Sequence, residues 1–391
     1  MKNLGELLLT LENGSRPKGG VTEIADGVPS LGGEHVKYDG GILWETPKHV
    51  TREFFDGMKR GHIKRGDILI VKDGATTGKT ATVRENFPFR EAAVNEHIFL
   101  LRTDQSVALS EYVGYFLFGP LGQQQILSNF HGSAIGGIAQ DFVRNVYVPV
   151  PPLLDQKRIV KLLDETRKII DLRSEADRIT TSLIPSIFHE IFADGQSYVT
   201  KPLVELVDAS RGISYGVVQR GNHFPGGVPL VRIGDFARNV FDPRGIVSVA
   251  PKISDQYKRT VLVGDELIVS IRGTVGRVAI VPNSAAGWNV AREVAVIPLL
   301  PGVSRRFLHS YLLSPFSQNF ITNAVRGIAQ RGINLEHLRR LPVPLPPKRL
   351  LDRFENLVTE ARKLEDDQAR SRFRFQALFQ SMLYQAFRGA L

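Results

Sequence analysis

The chain has 391 residues, of which 42% are hydrophobic and 23% charged, with no cysteine and a formal net charge of +10. That length supports two or three domains with proper cores, and the missing cysteines exclude a disulfide scaffold and a thiolate metal site. No run approaches the ~18 apolar residues of a membrane span, and "MKNLGELLLTLENG" is a poor signal peptide because Glu6 and Glu12 interrupt it, so a cytoplasmic chain is expected.

Charge is unevenly spread. Residues 1–150 hold 16 basic and 17 acidic side chains and 151–196 hold 7 and 8, whereas 197–347 hold 18 and 9, and 348–391 hold 9 and 6. A basic second half points to a polyanionic partner, nucleic acid foremost.

In chain order, the first short β-rich runs are "DILIV", "TATV" and "HIFLL", bounded by Gly, Asp and Pro. A helical stretch "SEYVGYFLFGPLGQQQILSNF" follows, and the prolines at 149–152 close the segment. They lack amide hydrogens and enforce extended backbone. Next comes a long helical pattern, with a partner-facing seam expected from Ile159, Leu162, Leu163, Thr166, Ile169 and Ile170. Pro185 should break or kink it near its end. The order then repeats: "ELIVS", "VAVIPL", the helical "SRRFLHSYLLSPFSQNFITNAV", prolines at 342–347, and a second long helix carrying Phe354, Leu357, Val358, Ala361 and Leu364. A helix of ~38 residues would run ~57 Å, so the two are expected to pack antiparallel. The fold class is α+β: two mixed domains at 1–148 and 197–345, with long helices at 149–196 and 346–391.

The stretch "VKDGATTGKT", Val71 to Thr80, resembles a phosphate-binding loop, but the spacing fails. Such a loop needs glycine five positions before Gly78, where Asp73 stands, and Gly74 is one residue too close. The following "TATV" reads as a strand, whereas phosphate binding needs a helix N-terminus there.

The same stretch reveals a duplication. "GDILIVKDGATTGKTATV" (66–83) aligns without a gap on "GDELIVSIRGTVGRVAIV" (264–281), so that Gly66, Asp67, Gly78 and Lys79 meet Gly264, Asp265, Gly276 and Arg277. Further on, "GSAIGGIAQDFVRNVYVPVPP" (132–152) pairs with "GIAQRGINLEHLRRLPVPLPP" (327–347).

Three features together resemble the specificity (S) subunits of type I restriction–modification systems: the twice-used "GDxLIV" turn, the twice-used "PxPP" before a long helix with "PPLLDQKRIV", and the tandem order of domain and helix. The second copy, "PPKRLLDRF", departs from that wording with Leu351 where the first has Gln156. The resemblance implies that each domain reads one half of a split, asymmetric site on double-stranded DNA. It further implies that the helices dock two methyltransferase (M) subunits, which restriction (R) subunits then join. AdoMet, ATP and Mg would belong to those partners, leaving the chain without a cofactor, metal or reaction of its own. Consistent with this, no methyltransferase tetrapeptide, AdoMet loop or metal-ligand spacing occurs in the sequence.

Phosphate contacts need Lys, Arg, hydroxyls or amides, and base edges need polar side chains at loop tips. The first-domain candidates are Arg16, Lys18, Lys59, Arg60, Lys64, Lys72, Thr76, Thr77 and Lys79; the second-domain candidates are Arg211, Ser214, Tyr215, Arg232, Lys258, Arg259, Arg272, Arg277 and Arg292. The helix-packing set is Ile159, Leu162, Thr166, Ile170, Phe354, Leu357, Ala361 and Leu364. Two other readings stand beside this one: a protein-interaction scaffold with no DNA role, and a nucleotide-binding enzyme using the Val71–Thr80 loop.

Overall fold

The computed structural model of the protein describes residues 1–17, 27–132, 136–192, 198–243, 245–325 and 332–389. Lys18 lies outside them. Two compact units emerge, Met1–Glu175 with Arg370–Leu391, and Ala176–Ala369. Each holds one mixed domain and a share of both long helices.

In the first unit, strands β1 (Leu8–Asn13), β2 (Ile68–Val71), β3 (Thr80–Thr82) and β4 (Ile98–Thr103) form an antiparallel sheet in the order β1-β4-β2-β3. "ILIV" is buried at every residue because both faces of β2 are covered, so a continuous apolar run replaces alternation. A smaller sheet joins Lys48–Val50, Val28–Leu31 and Ala93–Val94, the last two in parallel. The predicted helical stretch is two helices, α1 (Ser110–Phe118) and α2 (Pro120–Leu127). Gly119 stands between them in extended conformation and Pro120 opens the second at its first position.

Helix α3 spans Leu153–Thr181 and α4 spans Leu183–Phe192. The break falls at Ser182, where Pro185 has no amide to give the Thr181 carbonyl, as its position predicts.

The second unit repeats the scheme. Strands β5 (Ser214–Tyr215), β6 (Leu267–Ser270), β7 (Val278–Ile280) and β8 (Val294–Ile297) take the order β5-β8-β6-β7. A sheet of Val247–Val249, Val228–Val231 and Asn289–Val290 lies beside them. Helices α5 (Arg305–Leu313) and α6 (Pro315–Asn323) again divide at a proline. Helix α7 runs Lys348–Ala386.

The long helices pair antiparallel within each unit. In the first, Thr166 Oγ1 lies 3.6 Å from Met382 S, and Arg173 stacks 5.8 Å over Phe375. Phe379, Leu383 and Phe387 enter the same core as Ile159 and Leu163. In the second, Thr180 Oγ1 donates to Gln368 Oε1 at 2.7 Å, while Phe188 and Phe192 pack edge-on to Phe354. The buried seam is Ile159, Leu163, Thr166 and part-buried Ile170, with Phe354, Val358, Ala361 and part-buried Leu357 on α7. Leu162, Ile169 and Leu364, expected in the seam, are exposed. A 4-3-4 spacing from Ile159 selects Leu163, and the neighbouring residue is turned about 100° away.

The duplication is real but its gapless alignment is one residue out on one strand. Leu69 faces Ala81 and Ile268 faces Ala279, so β3 and β7 match 198 residues apart while β2 and β6 match 199 apart. The second copy has one residue fewer between strand and turn: Gly78 N donates to Val71 O, and Gly276 N donates to Ser270 O.

Candidate nucleic-acid interface

The corrected register reassigns the buried acid that precedes β6. Asp67 is fully buried, and Arg102 grips it with Nε to Oδ1 and Nη2 to Oδ2, both 2.8 Å, while Lys64 N donates to Oδ2 at 2.7 Å. Burial pushes its carboxyl above the ordinary carboxylate range, against the pull of those donors. Its counterpart is Glu266 and not Asp265. Val263 N donates to Glu266 Oε1 at 2.8 Å, and Val281 N donates to its carbonyl just as Val83 N donates to that of Asp67. Asp265, half-exposed with φ +69°, takes the place of Gly66 at φ +86°.

This changes the standing of Arg211. Its Nη1 lies 2.8 Å from Glu266 Oε1 and its Nη2 donates to Val261 O at 2.7 Å. A guanidinium spent on a buried carboxylate and carbonyls is no loop-tip reader; Arg211 fills the socket that Arg102 fills in the first domain. Ser214 is likewise buried, with Oγ 3.3 Å from Arg211 O. Arg232 opens a short 3-10 turn and leans on Asp235 at 3.6 Å and on Gly245 O at 3.2 Å.

The Val71–Thr80 stretch is a turn between β2 and β3. Thr77 Oγ1 donates to Gly74 O at 2.7 Å, Thr76 O accepts from Lys79 N at 3.2 Å, and Gly74 and Gly78 hold φ of +86° and +89°. Thr80 enters a strand, so no helix dipole faces a phosphate there. Lys79 Nζ sits 3.9 Å over the Tyr38 ring, and Lys72 Nζ is 3.7 Å from Asp73.

Sequence reasoning missed the device that fixes both turns. Gln123 Nε2 donates to Gly78 O at 2.9 Å and Leu117 O at 2.7 Å, and Gln318 Nε2 donates to Gly276 O and Leu312 O at the same two distances. The repeated "PLGQ" and "PFSQ" carried that signal. Gln156 is also structural. Buried after the proline cluster, its Oε1 accepts from Leu109 N and its Nε2 donates to Val107 O and Pro151 O. Leu351 packs at the matching place in the second core, so the departure in wording exchanges polar for apolar docking.

The candidates fall into separate places. Lys72, Thr76, Thr77 and Lys79 share the turn, and Arg16 connects to it through Glu96 (3.0 Å), His97 and Asp73. Lys59, Arg60 and Lys64 are exposed but precede β2, at its other end. In the second unit Lys258, Arg259, Ser214 and Tyr215 line one shallow cleft with Asp255, Gln256 and Tyr257. Arg272, Arg277 and Arg292 stand on the turn and strand ends, with Arg272 and Arg292 exposed. Among the described residues no group of three or more acidic or histidine side chains could hold a metal ion, and no helix is long and apolar enough to cross a membrane.

Comparison with known proteins agrees with this architecture. The type I restriction modification DNA specificity domain profile matches residues 1–179 and 218–362. The Escherichia coli EcoBI specificity subunit is 26% identical, covering 83% of this chain and 73% of its own; the Escherichia coli K12 EcoKI specificity subunit is 23% identical, covering 91% and 80%. The MjaVIII specificity subunit of Methanocaldococcus jannaschii is 20% identical over 91% of this chain and 85% of that one. Among solved structures, a chain from a type I restriction–modification system studied for its assembly and conformational transition superposes with a TM-score of 0.62 at 20% identity, covering 100% of this chain and 97% of that one. The type I S subunit of M. genitalium gives 0.51 at 15% identity, covering 99% and 95%. The two profile segments span the first domain, most of α3, most of the second domain and the start of α7, and both turns and both proline-to-helix junctions lie within them: the chain belongs to the type I restriction–modification DNA specificity family and is a specificity subunit with two target-recognition domains.

Proposed function

We propose that each domain reads one half of a split double-stranded DNA site, that the paired helices dock two methyltransferase subunits which restriction subunits then join, and that this chain performs no reaction itself. AdoMet, ATP and Mg then act on the partner subunits. The observation that carries the reading is a shared frame with unshared tips. The sheet order, the turn glycines and the glutamine clamp recur in both domains. The side chains on that frame do not: Lys72 matches Ile271, Asp73 matches Arg272, and Glu96 matches Arg292. A duplicated scaffold with divergent tips suits two different half-sites.

Replacing residues ~1–148 with the same domain of a relative, in the complex with its methyltransferase partner, should alter one half of the methylated motif and spare the other. A change in both halves would refute modular reading. No sequence-dependent DNA binding, even with the partner present, would favour a protein-only scaffold.

A further inference from the structure

The register that corrects the alignment also matches a pair of acids in one domain to a pair of arginines in the other. In the first domain β2 and β4 pair Ile68 with Leu101 and Val71 with Ile98, and Lys72 N continues the ladder to His97 O at 2.9 Å. Beyond that pair the strand ends in a turn that holds Glu96 and His97, closed by Ile98 N on Asn95 O at 3.3 Å, and His97 links Glu96 to Asp73. In the second domain β6 and β8 pair Leu267 with Ile297 and Ser270 with Val294, and Ile271 N continues to Glu293 O at 2.8 Å. The equivalent turn holds Arg292 and Glu293, closed by Val294 N on Ala291 O at 2.9 Å, and Arg272 follows Ile271 as Asp73 follows Lys72. Equivalent places thus carry two carboxylates in one copy and two guanidiniums in the other.

Like charges gathered at one place repel unless something compensates. In the first domain compensation is built in. His97 Nδ1 lies 2.5 Å from Asp73 and its Nε2 3.4 Å from Glu96, Arg16 lies 3.0 Å from Glu96, and Lys72 3.7 Å from Asp73. Glu96 Oε2 remains enclosed with no hydrogen-bond partner. In the second domain, among the described residues, neither Arg272 nor Arg292 makes a side-chain ion pair or hydrogen bond. The backbone at these places is held firmly: Asp73 bridges Gly137 and Arg272 bridges Gly332 on the flank away from the ladder partner.

We propose that these two places are the base-reading positions of the two domains, Arg272 and Arg292 donating to the O6 and N7 of guanine, and Asp73 and Glu96 accepting from the exocyclic amine of cytosine. The inference rests on the DNA-reading function above. Its discriminating point is the acid pair. Carboxylates cannot serve as phosphate contacts, so if both copies meet DNA with the same surface, this place faces base edges and not the backbone. Arginine pairs bidentately with guanine, and Asp or Glu accepts from cytosine N4.

The test uses the full chain with its methyltransferase partner and a DNA library randomised in both half-sites. R272Q/R292Q should lose discrimination for guanine by ~5- to 150-fold at one or two positions of one half-site, leaving the other half unchanged. D73N/E96Q, which keeps the shape of the network, should relax a cytosine in the other half only. A uniform weakening for every sequence with a shallower salt slope would mark phosphate contacts and overturn the inference while leaving DNA reading intact. Unchanged selectivity in both variants would overturn it too. A wild-type complex that selects no sequence would instead sink the DNA-reading function itself.

Discussion

Arg102→Ala tests whether the buried acid beside the first turn holds its domain together. Asp67 is fully buried, and Arg102 supplies two of its three hydrogen bonds, the third coming from Lys64 N. Removing one partner of a buried pair costs about 3–5 kcal/mol because the other charge stays buried. Arg102 is 26% exposed, so the lower end, about 3 kcal/mol, is expected at neutral pH. For a unit of about 200 residues, that lowers the melting midpoint by about 6–12 °C. The two tryptophans, Trp44 and Trp288, lie one in each unit; in a Trp288→Phe background, Trp44 fluorescence follows the first unit alone. The pH dependence fixes the cause. Asp67's folded pKa lies above its unfolded value of ~3.9, so its stabilising contribution is full below that pH and is lost as pH rises towards the folded pKa. Without Arg102 that pKa climbs further, so the gap between variant and wild type should be small near pH 4 and widest near pH 7. A loss under about 1 kcal/mol at pH 7, or a gap that grows on acidification, would refute the ion-pair account.

Gln318→Ala should destabilise the second unit by about 1–3 kcal/mol, because the carbonyls of Gly276 and Leu312 lose that donor, and Gln123→Ala should cost the first unit less, because Gly78 O keeps Thr80 Oγ1 at 3.0 Å; denaturation followed at Trp44 and Trp288 separates the two. Gly216→Ala should prevent folding of the second unit, since a Cβ would fall 1.8 Å from Val290 O; a native Trp288 signal would contradict this. His309, in contact with Asn239 O and Val278 O, has its pKa lowered by burial and then by Arg362. Stability of the second unit is therefore present above ~6.5 and eroded as pH falls through the folded value. His309→Gln should flatten that acid slope in a Trp288-monitored titration.

Much of this was legible in the residues. Short β-runs punctuated by Gly and Asp became strands, Pro185 marked the break at Ser182, and the doubled "GDxLIV" and "PxPP" carried both the duplication and the family. What escaped were choices between adjacent residues. "GD" in 66–67 and "GDE" in 264–266 offer one acid and two; identity matched Asp265, but burial and the amide of Val263 chose Glu266. Arg211 looked like a loop-tip base reader, yet it completes that socket from a distant segment, a long-range contact no local pattern encodes. Leu162 and Leu163 were equally apolar, and only the helix phase separates them.

The turn that mimics a phosphate loop shows why such a frame can change the side chains at its tips freely. Gly78 and Gly276 have positive φ and lie under Gln123 and Gln318, so the turn's shape is fixed by backbone carbonyls and a side chain from a helix. The residues one step beyond the ladder contribute no hydrogen bond to that clamp. They can therefore be Asp73 with Glu96 in one copy and Arg272 with Arg292 in the other, at a local electrostatic cost that Lys72 and Arg16 offset in the first domain. The second domain has no such offset among the described residues, so an added acidic surface should stabilise it more than the first. Polyanion titration of thermal melts, read at Trp44 and Trp288, would show that as a larger upward shift at Trp288. Equal shifts at both would mean that the arginine pair is neutralised within the chain.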